Sequence, residues 1–209
     1  MKKLLIKIAF FRHVTRKKII QLWFKLTLYP RFGSFGKKSG INKPMVLSGS
    51  ENIYVGNNVG IGYLIWMSAK KVKNRAKPSL VIEDGCKIGN FNHIFSTNSI
   101  LIKRNVLTAD KVYISDNLHS YEDITSPVLK QPIKQLNQVV IEEGVWLGEN
   151  VCVIGACIGK GSVVGANSVV TKDIPEYCIA VGSPAKIIKR YNPITQIWEK
   201  TNPDGSFMI

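Results

Sequence analysis

Residues 82–100 read IEDGCKIGNFNHIFSTNSI, and in them an aliphatic returns at every sixth position, as Ile82, Ile88, Ile94 and Ile100. The same beat resumes as Ile102, Thr108, Ile114. It appears earlier as Val55, Ile61, Met67 and later as Ile141, Leu147, Val153, then Ile158, Val164, Val170. Six residues fit neither the 3.6-residue turn of a helix nor the simple alternation of one strand, and such a period marks a parallel β-helix. A single coil exposes its backbone edges and most of its apolar surface, so stability must come from stacking the next coil on it. Each interior aliphatic contributes roughly 1.5–3 kcal/mol of gross transfer free energy.

Between the aliphatics lie turn-competent runs such as Gly56-Asn57-Asn58, Glu83-Asp84-Gly85, Gly148-Glu149-Asn150 and Gly165-Ala166-Asn167, which bend the chain between flat faces. The fourth residue after each aliphatic is small or branched: Val59, Cys86, Asn92, Val106, Val112, Val145, Val151, Cys157, Ser162, Ser168. These are expected inside the corners. The spacing also predicts one irregularity, since Val153 and Ile158 stand one residue closer than the beat requires.

The 209 residues suit one solenoid with two appendages. We expect a basic, helical segment over 1–45, a β-helix over 46–184 with loop insertions at 69–80 and 119–138, and an extension over 185–209 that folds back using Ile197 and Trp198. Charge sets the first part off. No Asp or Glu precedes Glu51, and the twelve Lys and Arg from Lys2 to Lys43 supply most of the net charge of +15. On a helical wheel Leu4, Ile8, Phe11, Ile19, Leu22 and Leu26 form one stripe, while Lys7 and Lys25 interrupt the apolar runs before they reach a spanning length. A secretory signal is not expected, because the apolar run is short and charged. Two readings stand: a basic helix against an anionic membrane face or acidic partner, or an end cap on the solenoid with a solvated basic side. Nucleic acid is not expected, as the aromatics lack platform spacing. Cys86, Cys152, Cys157 and Cys178 form no C-x-x-C pair and read as small core residues of a reducing compartment.

The two insertions interrupt a repetitive wall, and protruding loops between coils commonly build clefts. The first, 69–80, is strongly basic and is read either as a loop whose charges are simply solvated, the more frequent case, or as one that steers an anionic substrate. The second opens on His119.

Gly89-Asn90-Phe91-Asn92, the run Val112 to His119, Val145-Trp146-Leu147-Gly148, the block Gly161 to Pro175 and Val181-Gly182-Ser183-Pro184-Ala185-Lys186 together resemble the hexapeptide-repeat acyltransferases of the galactoside and maltose O-acetyltransferase type, over roughly 46–190. The resemblance implies a left-handed parallel β-helix, a homotrimer with sites between subunits, acetyl-CoA as co-substrate, a saccharide acceptor and no metal. It places the family's general base on His119, with Asp116, Glu122, Asp123 or a main-chain carbonyl as its orienting partner. A neutral imidazole suits deprotonation of a hydroxyl near pH 7.

Asn92 falls on the residue that positions the acceptor, with an asparagine ladder in the corner as the competing account, and Asp116 is the second residue expected at the substrate. Trp146, Ala166, Thr171 and Lys172 fall on the stretch that meets the coenzyme, and Lys186, with Lys189 and Arg190, is a candidate for its phosphates. The basic lead-in points to relatives that act on surface polysaccharide or lipid-linked glycan at the cytoplasmic membrane face. The expected activity is therefore O-acetylation of a sugar hydroxyl. N-acetylation of an amino sugar and a non-catalytic scaffold are the alternatives. A carbonic-anhydrase-type zinc site is not expected from His13, His93 and His119 alone.

Overall fold

One inward aliphatic followed by a four-residue corner carries the chain from one flat face to the next, and three faces close a rung. The computed structural model describes residues 19–72 and 75–208. Its strands form three parallel stacks. Wall A holds Ser34–Phe35, Ile53–Val55, Ser79–Ile82, Ser99–Ile102 and Val139–Ile141, continued by bridges at Ile158 and Ile174. Wall B holds Gly40–Asn42, Gly60–Tyr63, Lys87–Ile88, Leu107–Thr108, Trp146–Leu147, Val163–Val164 and Cys178–Val181. Wall C holds Val46–Ser48, Trp66–Ala69, His93–Ser96, Tyr113–Ser115, Cys152–Ile154 and Val169–Val170. The periodic residues Ile61, Met67, Ile82, Ile94, Ile114, Ile141, Leu147 and Val153 point inward and are buried.

Two edges of this prism are built alike at every rung. Between walls A and B one corner residue adopts a positive φ at Lys38, Asn58, Gly85, Asn105, Gly144, Gly161 and Tyr177. Between walls B and C it is Lys43, Leu64, Phe91, Lys111, Asn150, Asn167 and Gly182. A single left-handed residue turns the chain sharply. From Asn58 onward it aims the following side chain inward at most rungs, which is why Val59, Cys86, Asn92, Val106, Val112, Val145, Val151, Ser162 and Ser168 are buried as expected. The C–A edge follows no such rule. It takes an insertion described at 70–72 and 75–78, a widened corner at 96–98, the long excursion 116–138, and then shortened corners. Ile82 pairs with Ile102 and Leu80 with Ile100, so Ile100 is a second inward residue of wall A rather than a further step of the beat. Ile141 bridges to Ile158, giving the deficit of one residue expected after Val153. The next bridge, Ile158 to Ile174, is shorter again by one, which the six-residue beat does not foretell.

The β-helix starts earlier than the expected boundary at 46, since Ser34–Phe35 and Gly40–Asn42 already pair in parallel with the second rung. Residues 19–27 are helical and close this end. Phe24, Tyr29 and Phe32 join Ile41 in the core. The open edge of the first strand is satisfied by side chains: Gln21 Nε2 donates to the Ile41 carbonyl at 2.9 Å, and Tyr29 Oη donates to Gln21 Oε1 at 2.6 Å. The end-cap reading of this segment therefore holds for its described part; residues 1–18 lie outside the described residues.

At the other end Lys186–Asn192 pairs antiparallel with Cys178–Val181, and Ile197–Lys200 pairs antiparallel with that strand. The tail folds back as expected, with Trp198 edge-on to Tyr191 at 5.8 Å, but Ile197 is exposed. Among the described residues no helix is long and apolar enough to cross a membrane. The four cysteines are free, and burial pushes the Cys86 thiol up to about 11.

Candidate active site

The C–A edge acquires its protruding hairpin through one buried carboxylate. The widened corner 96–98 turns main-chain donors into the core, where an unpaired N–H is costly. Asp116, fully buried, accepts from Thr97 N at 2.7 Å, Asn98 N at 2.8 Å, Ser96 Oγ at 2.8 Å and Asn117 Nδ2 at 3.0 Å. Its carbonyl also accepts Leu136 N at 2.7 Å, and Gln135 Nε2 donates to Thr97 O at 2.5 Å. Asn117–His119 and Ile133–Gln135 then run antiparallel, with His119 opposite Ile133. Gly155, at φ +60, lets the return leg lean on the corner of the next rung: a Cβ there would stand 2.8 Å from the Leu136 side chain. The hairpin is thus held at its root on both legs, with the His119 imidazole exposed beyond it.

The carboxylates considered as partners for that imidazole are engaged elsewhere. Asp116 belongs to the widened corner, so its expected place at the substrate is not what the structure shows. Glu122 pairs with Lys134 and accepts Tyr121 N at 3.0 Å. The lysine holds its pKa down to about 2. Asp123 accepts from Thr125 Oγ1 at 2.7 Å and Thr125 N at 2.9 Å, which hold its carboxyl below the usual range.

Beside the hairpin root lies a cleft of about 500 Å³ lined by Leu118, Gln135, Leu136, Asn137, Ile154, Gly155 and Thr171. Thr171 and the exposed Lys172 stand on the same edge as His119, so three expected residues gather there. Gln135, Leu136 and Asn137 were not anticipated. Their signal was available in their place just before the wall restarts at Val139, because the return leg of an insertion flanks its outgoing leg. Two rungs earlier on the same edge, Lys70, Lys71, Arg75 and Lys77 are exposed.

Asn92 corrects a second expectation. Its side chain is buried in the B–C edge, donating to Thr108 Oγ1 and Ala109 O, each at 3.1 Å, and accepting Val112 N at 2.7 Å. Both ends of the buried amide are engaged by the corner of the next rung, so the side chain serves that corner rather than an acceptor; it is not part of an asparagine ladder, since the equivalent residues of the adjacent rungs are Ile65 and Val112. His93 is on wall C, stacked on Trp66 at 4.4 Å. Burial lowers its pKa, and Nε2 has no hydrogen-bond partner among the described residues.

The remaining expected residues lie elsewhere on the prism. Trp146 is half exposed on the outer side of wall B, in a column with Leu107, Val163 and Ile179. Ala166 is exposed at the B–C edge. Lys186 opens the antiparallel strand opposite Val181. In a three-walled prism the C–A edge is opposite wall B, so one copy of the chain does not bring Trp146 to His119. Among the described residues no group of three or more His, Cys, Asp or Glu is placed to hold a metal ion.

No protein-family model matches the chain. WbbJ of Escherichia coli, whose name describes an O-acetyl transferase of lipopolysaccharide biosynthesis, is 44% identical over 128 residues, covering 58% of this chain and 65% of its own length. Galactoside O-acetyltransferase of Lactococcus lactis is 40% identical over 106 residues, 49% of each chain. The chain thus spans about two thirds and one half of these curated relatives. The solved structure of AntD, an N-acyltransferase from Bacillus cereus in complex with dTDP and 3-hydroxybutyryl-CoA, matches 79% of this chain and 87% of its own with a TM-score of 0.66 at 21% identity, a likeness of fold. Together with the three-walled stack of parallel rungs, these similarities show the fold of a left-handed parallel β-helix, and the relatives that the chain resembles are named as O-acetyltransferases and an N-acyltransferase.

Proposed function

We propose that this chain transfers acetyl from acetyl-CoA to a sugar hydroxyl of a surface polysaccharide or lipid-linked glycan intermediate, with His119 as general base. The observation that supports the reading is the exposed His119 on a hairpin pinned at its root, next in the strand to Leu118, which lines a cleft together with Thr171. The neutral imidazole takes the hydroxyl proton as the oxygen attacks the thioester carbonyl. The tetrahedral intermediate collapses by breaking the C–S bond, and the proton passes to the leaving thiolate, giving an ester and coenzyme A. No acyl-enzyme is required.

In this reading three copies assemble so that wall B of one faces the C–A edge of the next. Trp146 and Ala166 of one subunit and Thr171 and Lys172 of its neighbour then line the coenzyme groove, and Lys186 reaches the phosphates. The similarity to WbbJ and the exposed Lys70, Lys71, Arg75 and Lys77 support an anionic, glycan-bearing acceptor. We place the protein in the cytoplasm, touching the inner face of the membrane peripherally through residues 1–45.

The test is coenzyme A release from acetyl-CoA across a panel of hydroxyl- and amino-sugar acceptors, with wild type and His119→Ala. A loss of about 10²- to 10⁴-fold in kcat with coenzyme binding retained supports the base. Unchanged turnover removes it, and turnover confined to amino sugars replaces O- with N-acetylation.

A further inference from the structure

We infer that the helix closing the first rung also docks the prism, with that end down, on an anionic lipid bilayer. Its two faces are both apolar. Phe24, with Ile20 and Leu28 beside it, packs onto the core of the first rung. On the other face Ile19, Leu22, Trp23 and Leu26 are 66%, 60%, 59% and 72% exposed, at the i, i+3, i+4, i+7 spacing of one helical stripe. Single exposed apolar residues are ordinary, but four in a row on a surface helix mark a contact.

Charge selects the occupant. The lid and first rung present Lys25, Arg31, Lys37, Lys38 and Lys43 to solvent, and no carboxylate precedes Glu51. A second copy of this end would bring cations against cations, whereas an anionic lipid surface attracts them and admits the stripe. An apolar stripe joined to a basic rim is the paired signal that gives stable interfacial binding without a spanning helix. One geometric consequence follows. His119 leaves the wall three strand spacings from the first rung, and the helix adds its own diameter, so the imidazole stands about 25 Å above the bilayer's apolar boundary. An acceptor still carried by a lipid would be modified on a sugar well out from its anchor.

The inference rests on the membrane part of the proposed function and is independent of the acetyl-transfer chemistry. It is tested by sedimenting the full chain with vesicles of phosphatidylcholine alone or containing phosphatidylglycerol, at low and high salt, comparing wild type with Leu22→Asp/Leu26→Asp. Both leucines are on the solvent side of the lid, so the fold and turnover on a soluble acceptor should be unchanged. We expect wild type to bind only the phosphatidylglycerol vesicles, to lose binding at high salt, and to lose about tenfold or more in the double variant. Wild type that binds neither vesicle overturns the membrane contact itself, leaving acetyl transfer standing. Binding that the variant retains overturns the role of the stripe and puts it under residues 1–18. A stripe that dissolves an oligomer when charged assigns it to a second copy.

Discussion

At the A–B and B–C edges every rung turns on one left-handed residue, from Lys38 to Tyr177 and from Lys43 to Gly182, whereas at the C–A edge successive rungs take a loop, a widened corner, a hairpin and then shortened corners. In the repeated edges each corner is the platform for the next: Asn57 N donates to Asp84 Oδ1 at 2.6 Å and Asn90 N to Asp110 Oδ1 at 2.6 Å, both to the rung above. An insertion there would interrupt a column of such bonds. The irregular edge instead supplies local substitutes, such as Asp116 for the corner 96–98 and Leu136 against Gly155. It can therefore vary from rung to rung, and it is where His119, Thr171 and the exposed cations lie. Stacking needs sameness, and a site needs difference.

The contrast can be broken first at the pin. Asp116→Ala leaves several buried donors without an acceptor and should cost about 3–5 kcal/mol in urea unfolding. Asp116→Asn, which keeps the shape but not the charge, should cost less. An equal effect from both would mean that volume rather than the charged acceptor holds the corner. The wall itself is next: Ile114→Ala, fully buried, should cost about 2–5 kcal/mol.

On the regular edges the expected effects are smaller. Asn105→Ala, at φ 59, should cost about 1 kcal/mol, while Asn105→Gly should be near neutral. A large loss in the glycine variant would show that the side chain, not the backbone turn, matters there.

Protonation sharpens the same comparison. Burial holds the folded-state pKa of His93 below its ordinary 6.5, so the unfolded chain binds that proton more tightly. Its contribution is full above about pH 6.5 and is lost as pH falls toward the folded value. His93→Phe should flatten that part of a stability–pH profile. The smallest effect belongs to the hairpin. Lys134 holds Glu122 down to about 2 from 4.5, so this tether is complete above pH 4.5 and fades as pH falls toward 2. Glu122→Gln should raise amide hydrogen exchange across 120–132 while leaving global unfolding unchanged.

The rungs were legible because inward aliphatics and corner residues each occupy one position in six, and nothing but stacking produces that beat. The insertion beginning at His119 was legible as a break in it. Asn92 and Asp116 were misread for one reason: both are polar residues in a motif, and their bonds run to Thr108, Ala109 and Val112 or back to Ser96, Thr97 and Asn98, about one rung away. Which rung faces which depends on how many residues the C–A edge absorbs, and the beat alone does not count them. The first rung was hidden inside a basic segment because Gly40–Asn42 carries only one inward aliphatic, Ile41, and the lid that completes it is helical.

In the proposed assembly the C–A edge of one subunit and wall B of another form one site. That arrangement is tested most directly by mixing two inactive variants, His119→Ala and Trp146→Glu/Ala166→Asp, unfolding and refolding them together, and measuring acetyl transfer. Random assembly of a cyclic trimer predicts recovery to about a quarter of wild-type activity, because about one interface in four receives both intact surfaces. No recovery from a correctly refolded mixed trimer would mean that each chain carries its whole site, and would contradict the account.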